Sequence, residues 1–186
     1  MNETFSAVLS DLAVDNIDLV GAMVVNTPER GEVMDFTASE RQGYDYILVR
    51  SEDADKYTSK ESLAGATVVA NNGSVQYTHA EELEGINLIA TESTADAALQ
   101  VVTGTADVMV TSDMNGLMYE EGYAGKLVMD KDVSWEDDTA SLAVNKGDDD
   151  LLALVNQVIE NEIRPNIDEL IQEEIERGVE ILGVGQ

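Results

Sequence analysis

The chain contains no cysteine, which excludes disulfides, thiolate nucleophiles and cysteine-based metal sites. Histidine occurs once, at His79, and a lone imidazole without thiolates makes no strong zinc site. Basic residues are scarce: 10 Lys and Arg stand against 38 Asp and Glu, for a formal net charge of −28. Such a surface is repelled by phosphate backbones, which argues against nucleic-acid binding. Long apolar runs are also missing, and none approaches the ~18 residues of a membrane-spanning helix. The first residues, Met1-Asn2-Glu3-Thr4, carry no basic segment and no apolar stretch, so no signal peptide is expected within the chain. The expectation is a cytosolic protein or a chain that begins inside a longer one. No Ser/His/Asp set, Walker loop or dinucleotide fingerprint occurs, and neither cofactor nor metal is expected.

Hydrophobic residues nevertheless make up 44% of the 186 positions, enough to bury one large core or two small ones. Acidity here does not mean disorder. Phe5, Val8, Leu9 and Leu12 fall at helical spacing. Strands are predicted over 17–25, 44–50, 66–70, 86–90, 108–111, 126–129 and 141–144. Helices are predicted over 75–83, 95–102 and 114–119, then from 151 until Pro165 breaks the run, with a last helix over 167–177. His79 is expected on the exposed side of a polar helix, and Trp135 as the anchor of an acidic loop.

Alternating strands and helices argue for an α/β protein with parallel-rich sheets built from crossover units. Two lobes are expected. Residues 45–145 form a closed set, and 1–44 with 146–186 pair as a thinner first lobe. Two chain crossings would then act as a hinge, with a ligand in the cleft.

The most informative segment follows the first strand. Asn26-Thr27-Pro28 leads into a turn or helix start, because Pro fixes φ and lacks a donor. Arg30 is thereby held near the strand's carboxyl edge, where open α/β sheets bind ligands. A guanidinium there grips a carboxylate through two parallel hydrogen bonds. The plain alternative is a solvated surface arginine.

An ordered series of short motifs runs along the chain. It comprises Asn16-Ile17-Asp18, Thr27-Pro28-Glu29-Arg30 with Asp35-Phe36-Thr37, and Ser62-Leu63-Ala64-Gly65. It continues with Asn72-Gly73-Ser74, Gly104-Thr105-Ala106-Asp107, and the run from Leu142 to Asp148. In order and spacing it resembles the bacterial solute-binding proteins for polar amino acids, the receptors of ABC importers. The resemblance implies a two-lobe periplasmic-binding-protein-like fold that closes on its ligand. It also implies an extracytoplasmic location, periplasmic or as a cell-surface lipoprotein, and an ABC permease as partner. Family members carry a further strand–helix–strand unit of roughly fifty residues ahead of the first helix. The first lobe is therefore expected to be incomplete, with an exposed edge that invites a homodimer.

By the same resemblance, Arg30 grips the ligand carboxylate, assisted by groups at Val25 and Thr27. Gly73, Ser74 and Val75 stand where the family has a hydroxyl-rich turn at a helix N-terminus, Val75 replacing a second hydroxyl. Ser74 by itself also reads as a helix cap. Ser112 stands at the family's ammonium-binding acid, and the acid, Asp113, comes one residue later. Asp107 reads as a turn-closing residue. Three functions compete: reversible capture of a polar amino acid, a truncated member that self-associates without binding, and a dehydratase or sensor on the same fold. A dehydratase needs a general acid or base, for which Asp113 and Glu29 are the candidates. Capture without catalysis is the expectation.

Overall fold

The computed structural model describes residues 4–39 and 41–182. The chain packs into two compact units: residues up to Gly43 with Asp137–Ile171, and Tyr44–Glu136 with the chain from Gln172 onward. The first crossing lies one residue from the 44/45 boundary read from the sequence. The second falls at 136/137, inside a strand and not at 145/146, and the last helix is shared between the units.

In the first unit, helix α1 (Phe5–Ala13) starts at Thr4, whose hydroxyl accepts the Ala7 N–H. It packs Leu12 onto Val20 and Val24 of strand β1 (Leu19–Val25), with Met34 and Ala143 closing the cluster. A four-residue helix α2 (Pro28–Gly31) then turns the chain into the short strand β2 (Met34–Phe36). Both β1 and β2 pair antiparallel with the end of the long strand β7 (Leu127–Asn145). Asn145 pins this arrangement: its amide donates to the carbonyls of Leu12 (2.7 Å) and Ile17 (3.0 Å).

The second unit carries β3 (Arg41–Arg50) from Tyr44 onward, with β4 (Thr67–Asn71), β5 (Asn87–Thr91) and β6 (Val108–Ser112). Its helices are α3 (Val75–Glu81), α4 (Thr94–Thr103) and α5 (Asp113–Gly122). The strand order is β1-β7-β3-β6-β4-β5, with β2 also on β7. Pairing is mixed: β4 runs parallel to β5 and β6, whereas β6 meets β3 antiparallel. Each face of this sheet has its own core. Ile47, Val49, Val68, Val108 and Val110 face one side; Leu48, Val69 and Met109 face the other, as period-two alternation requires.

Two local expectations are corrected. The acidic run around Trp135 is not a loop: β7 continues through it as one strand, so Trp135 is a buried strand residue, 8% exposed. Pro165 does not end the helical run. After α6 (Asp149–Val158) the backbone widens to a π-turn over Ile159–Ile163 and tightens to a 3-10 turn over Arg164–Asn166. It then resumes as α7 (Ile167–Leu182). The missing Pro N–H and the clash of its ring with the preceding turn account for the change of pitch. Asn161 and Asn166 donate to carbonyls of the preceding turn, at Gln157 and Glu162.

Candidate functional site

At the carboxyl end of β1, Thr27 caps α2: its hydroxyl accepts the Arg30 N–H at 3.3 Å, with Pro28 in the first turn. The cap fixes where the Arg30 side chain leaves the backbone. Arg30 then folds back so that Nη1 donates to the Val25 carbonyl at 2.9 Å. Its guanidinium carbon lies 5.7 Å from the Phe5 ring centre. Val25, Thr27 and Arg30 are thus brought together, and the guanidinium plane is set by a carbonyl on one side and an aromatic on the other. Glu29 beside them is held below its ordinary carboxylate value by backbone N–H and Thr27 hydroxyl hydrogen bonds.

In the second unit, β4 ends in a turn whose Gly73 has φ +74, left-handed backbone that a side chain would strain. Ser74 follows as the cap of α3. Its hydroxyl accepts the Tyr77 N–H (3.2 Å) and donates to the Asn71 carbonyl (2.7 Å), and its own N–H also goes to Asn71. Ser74 is 7% exposed, so both of its protons are spent within the turn. The first-turn N–H groups of Val75 and Gln76 are those for which α3 offers no acceptor of its own.

The register Val68↔Val108 and Val69↔Met109 brings the ends of β4 and β6 side by side. Ser112 caps α5, its hydroxyl accepting the Asn115 N–H at 3.4 Å. Asp113 is the first residue of that helix, where a carboxylate suits the dipole, and it accepts the Met114 N–H at 2.7 Å. Gly73, Ser74, Val75, Ser112 and Asp113 therefore share one carboxyl edge.

The same edge carries groups that sequence reasoning missed. The side-chain oxygens of Asn71 and Thr111 are buried without a hydrogen-bond partner, an unusual state for polar atoms. Tyr46, paired across from Thr111, stacks with Tyr44 at 6.1 Å. Its phenol is pushed up by burial, then by the charge of Asp113 and by Tyr44. No sequence signal marked these residues, because strand alternation alone does not distinguish an unpartnered Thr from a packed one.

Asp107 and His79 also take definite places. Asp107 closes more than a turn: it accepts the Thr67 N–H at 2.9 Å and pairs with Arg50 at 3.2 Å. His79 is not a surface residue. Its side chain is 18% exposed, stacked on Trp135 and 3.5 Å from Asp45. Among the described residues no group of three or more His, Cys, Asp or Glu is placed to hold a metal ion. Nor is any described helix long and apolar enough to cross a membrane.

A family model described as bacterial extracellular solute-binding proteins, family 3, matches residues 1–173. The fold is also similar to solved structures. One is the amino acid ABC transporter substrate-binding protein AbpA from Streptococcus pneumoniae bound to L-arginine. It is 22% identical, with TM-score 0.85, over 100% of this chain and 77% of that one. Another, an amino acid ABC transporter substrate-binding protein from the same organism bound to L-arginine, is 26% identical over 97% and 75% of the two chains, with TM-score 0.83. A third is the ancestral amino acid-binding protein AncCDT-1, a precursor of cyclohexadienyl dehydratase. It is 26% identical over 94% and 75%, with TM-score 0.81. No curated protein sequence matches the chain.

Proposed function

The chain belongs to family 3 of the bacterial extracellular solute-binding proteins, and from that premise we propose that it captures a polar amino acid reversibly as the binding component of an ABC importer. The observation that carries this reading is Arg30. In a protein with 10 basic residues, one guanidinium is oriented at a strand's carboxyl edge by Thr27, Val25 and Phe5. That geometry suits bidentate capture of a carboxylate. Gly73 and Val75 supply backbone N–H groups to the ligand, with Ser74 fixing their turn, and Ser112 and Asp113 supply oxygen acceptors for its ammonium. No covalent step is involved, and the permease is the partner that unloads the protein outside the cytoplasmic membrane.

The finer choice of ligand is an amino acid with a donor-rich side chain, arginine first. Structural neighbours are bound to L-arginine. In this chain the unpartnered oxygens of Asn71 and Thr111, with Asp113 near Tyr46, favour a cationic or amide-bearing group over an apolar one.

Calorimetry with L-arginine, L-lysine, L-histidine and L-glutamine tests the reading. Arg30→Ala should weaken binding by about 30-fold or more, since losing one partner of a buried charge pair costs about 2–5 kcal/mol. No heat with any amino acid, from protein that melts cooperatively, would overturn it.

A second reading, self-association, is favoured by β1. It pairs with β7 on one side and ends the strand order on the other, with Leu19 41% exposed. Light scattering that shows a clean monomer at high concentration would remove it.

A further inference from the structure

Two of the ordered motifs, Asp35-Phe36-Thr37 and the run from Leu142 to Asp148, are not used in ligand capture, yet they meet within the first unit. Strands β2 and β7 pair them antiparallel, with Asp35 opposite Val144 and Phe36 opposite Ala143. Thr37 extends the pairing: its N–H donates to the Leu142 carbonyl and its hydroxyl accepts the Leu142 N–H, each at 3.0 Å. The Asp35 carboxylate reaches past the end of β7. One oxygen takes the Lys146 ammonium at 2.7 Å, and the other accepts the Gly147 N–H at 2.7 Å.

The Lys146 ammonium has a further partner. It donates to the Gly31 carbonyl at 2.7 Å and approaches the Met34 carbonyl at 3.5 Å. Gly31 is the last residue of α2 and the neighbour of Arg30. A four-residue helix is a nucleus with almost no propagation, so it persists only when its ends are held. Thr27 holds the amino end through the Arg30 N–H. At the carboxyl end the last carbonyls have no partner inside the helix. Lys146, 115 residues away in sequence, supplies one. Its side chain is 50% exposed, and ion pairs so exposed contribute little to global stability. What Lys146 offers is therefore local: it holds one turn of backbone in place.

We infer that Lys146, anchored by Asp35, is a positioning residue that fixes the carboxyl end of α2 and so sets where Arg30 presents its guanidinium. Thr27 and Lys146 grip the turn at opposite ends, and Arg30 lies between them. With the Lys146 end released, α2 can shift against the Val25 carbonyl and the Phe5 ring, the two groups that orient the guanidinium. Hydrogen bonds weaken steeply with misalignment, so a small shift is enough to lose that orientation. The consequence for ligand affinity rests on the function proposed above; the hold on Arg30 does not.

Nuclear magnetic resonance of the ligand-free full chain tests the hold directly. The Arg30 Nε–H signal, identified by its loss in Arg30→Ala, reports side-chain order, and amide exchange at residues 30–33 reports the turn. In Lys146→Met the Nε–H should become mobile on the picosecond-to-nanosecond scale. Exchange at residues 30–33 should quicken at least about tenfold, with the amides that pair β1 to β7 unchanged. Lys146→Arg keeps the cation and should restore both signals. Asp35→Asn removes the anchor alone and should act in the same direction; it carries the test if Lys146→Met fails to fold. An Arg30 signal and turn amides that stay as in the parent overturn the inference. So does loosening that spreads equally to β1 and β7, or a Lys146→Arg protein as loose as Lys146→Met. Calorimetry with L-arginine adds a second arm. Lys146→Met should weaken binding at least about tenfold in the parent, the worth of one charge-assisted hydrogen bond, but less than about twofold in Arg30→Ala. Equal losses in both backgrounds overturn the inference. Absence of heat from the parent counts against the proposed function instead, and the resonance and exchange results still decide whether Lys146 positions Arg30.

Discussion

Replacing Arg50 by Met should loosen the second unit. The guanidinium, 18% exposed, reaches four acceptors. They are the carbonyls of Val101 (3.1 Å) and Ala106 (2.8 Å), and the carboxylates of Asp53 (2.7 Å) and Asp107 (3.2 Å). Asp107 passes the connection on to the Thr67 N–H at the start of β4, so one side chain ties β3, the end of α4 and the entry to β4. Val101 keeps a second bond from Gly104 N–H, but Ala106 is 1% exposed and its carbonyl depends on Arg50. An orphaned buried acceptor costs about 1–3 kcal/mol. The two partly exposed ion pairs add about 0.2–1 kcal/mol each. A total loss near 3 kcal/mol, at a urea slope of about 2 kcal/mol/M, moves the midpoint down by about 1.5 M. Urea unfolding followed by Trp135 emission is the assay, because Trp135 and Arg50 belong to the same compact unit. Arg50→Lys keeps the charge but replaces a planar fork with a single nitrogen, and should recover less than half of the loss. A midpoint for Arg50→Met within about 0.3 M of the parent would refute the reasoning, since the slope converts that to under about 1 kcal/mol.

Acid should destabilise the protein through identifiable carboxylates. Asp107 is held below its ordinary value chiefly by the Thr67 N–H and then by Arg50, and Asp35 by the Lys146 side chain and then the Gly147 N–H. Depressed folded values mean stability that is present above the unfolded value, about 3.9, and lost as pH falls through the lower folded values. Asp107→Asn should therefore be less stable than the parent at neutral pH, with the gap closing below about pH 4, as read by urea midpoints against pH. Gly104→Ala should cost about 1 kcal/mol, because φ is +76 where the helix ends. Its new Cβ would meet nothing closer than Arg50 Nη1 at 3.9 Å, so the cost is backbone strain and shows as a lower thermal midpoint with unchanged spectra. Arg30→Lys should bind the amino acid more weakly than the parent, since one ammonium does not reproduce a bidentate fork; calorimetry would compare the two.

How much of this was legible depends on how local each cause is. Thr27 and Pro28 announced the helix that carries Arg30, and Ser74 announced the start of α3, because caps are settled within a few residues. The strand β2 was not foreseen, being three residues long and formed by pairing with β7. The acidic stretch of β7 reads as a loop, since Asp and Glu disfavour strands until a neighbouring strand supplies partners. His79 looked exposed because its helix is polar; the burial comes from Trp135, distant in sequence.

By itself, then, the sequence determined the family, the α/β class and the guanidinium at the end of β1, all of which rest on ordered motifs and short-range steric rules. Tertiary structure alone decided which oxygens at the ends of β4 and β6 lack hydrogen-bond partners. It also decided that Asp45 is buried between Gln76 and His79. Those outcomes depend on strand register and on contacts between distant residues, where one step along a strand reverses the direction of every side chain.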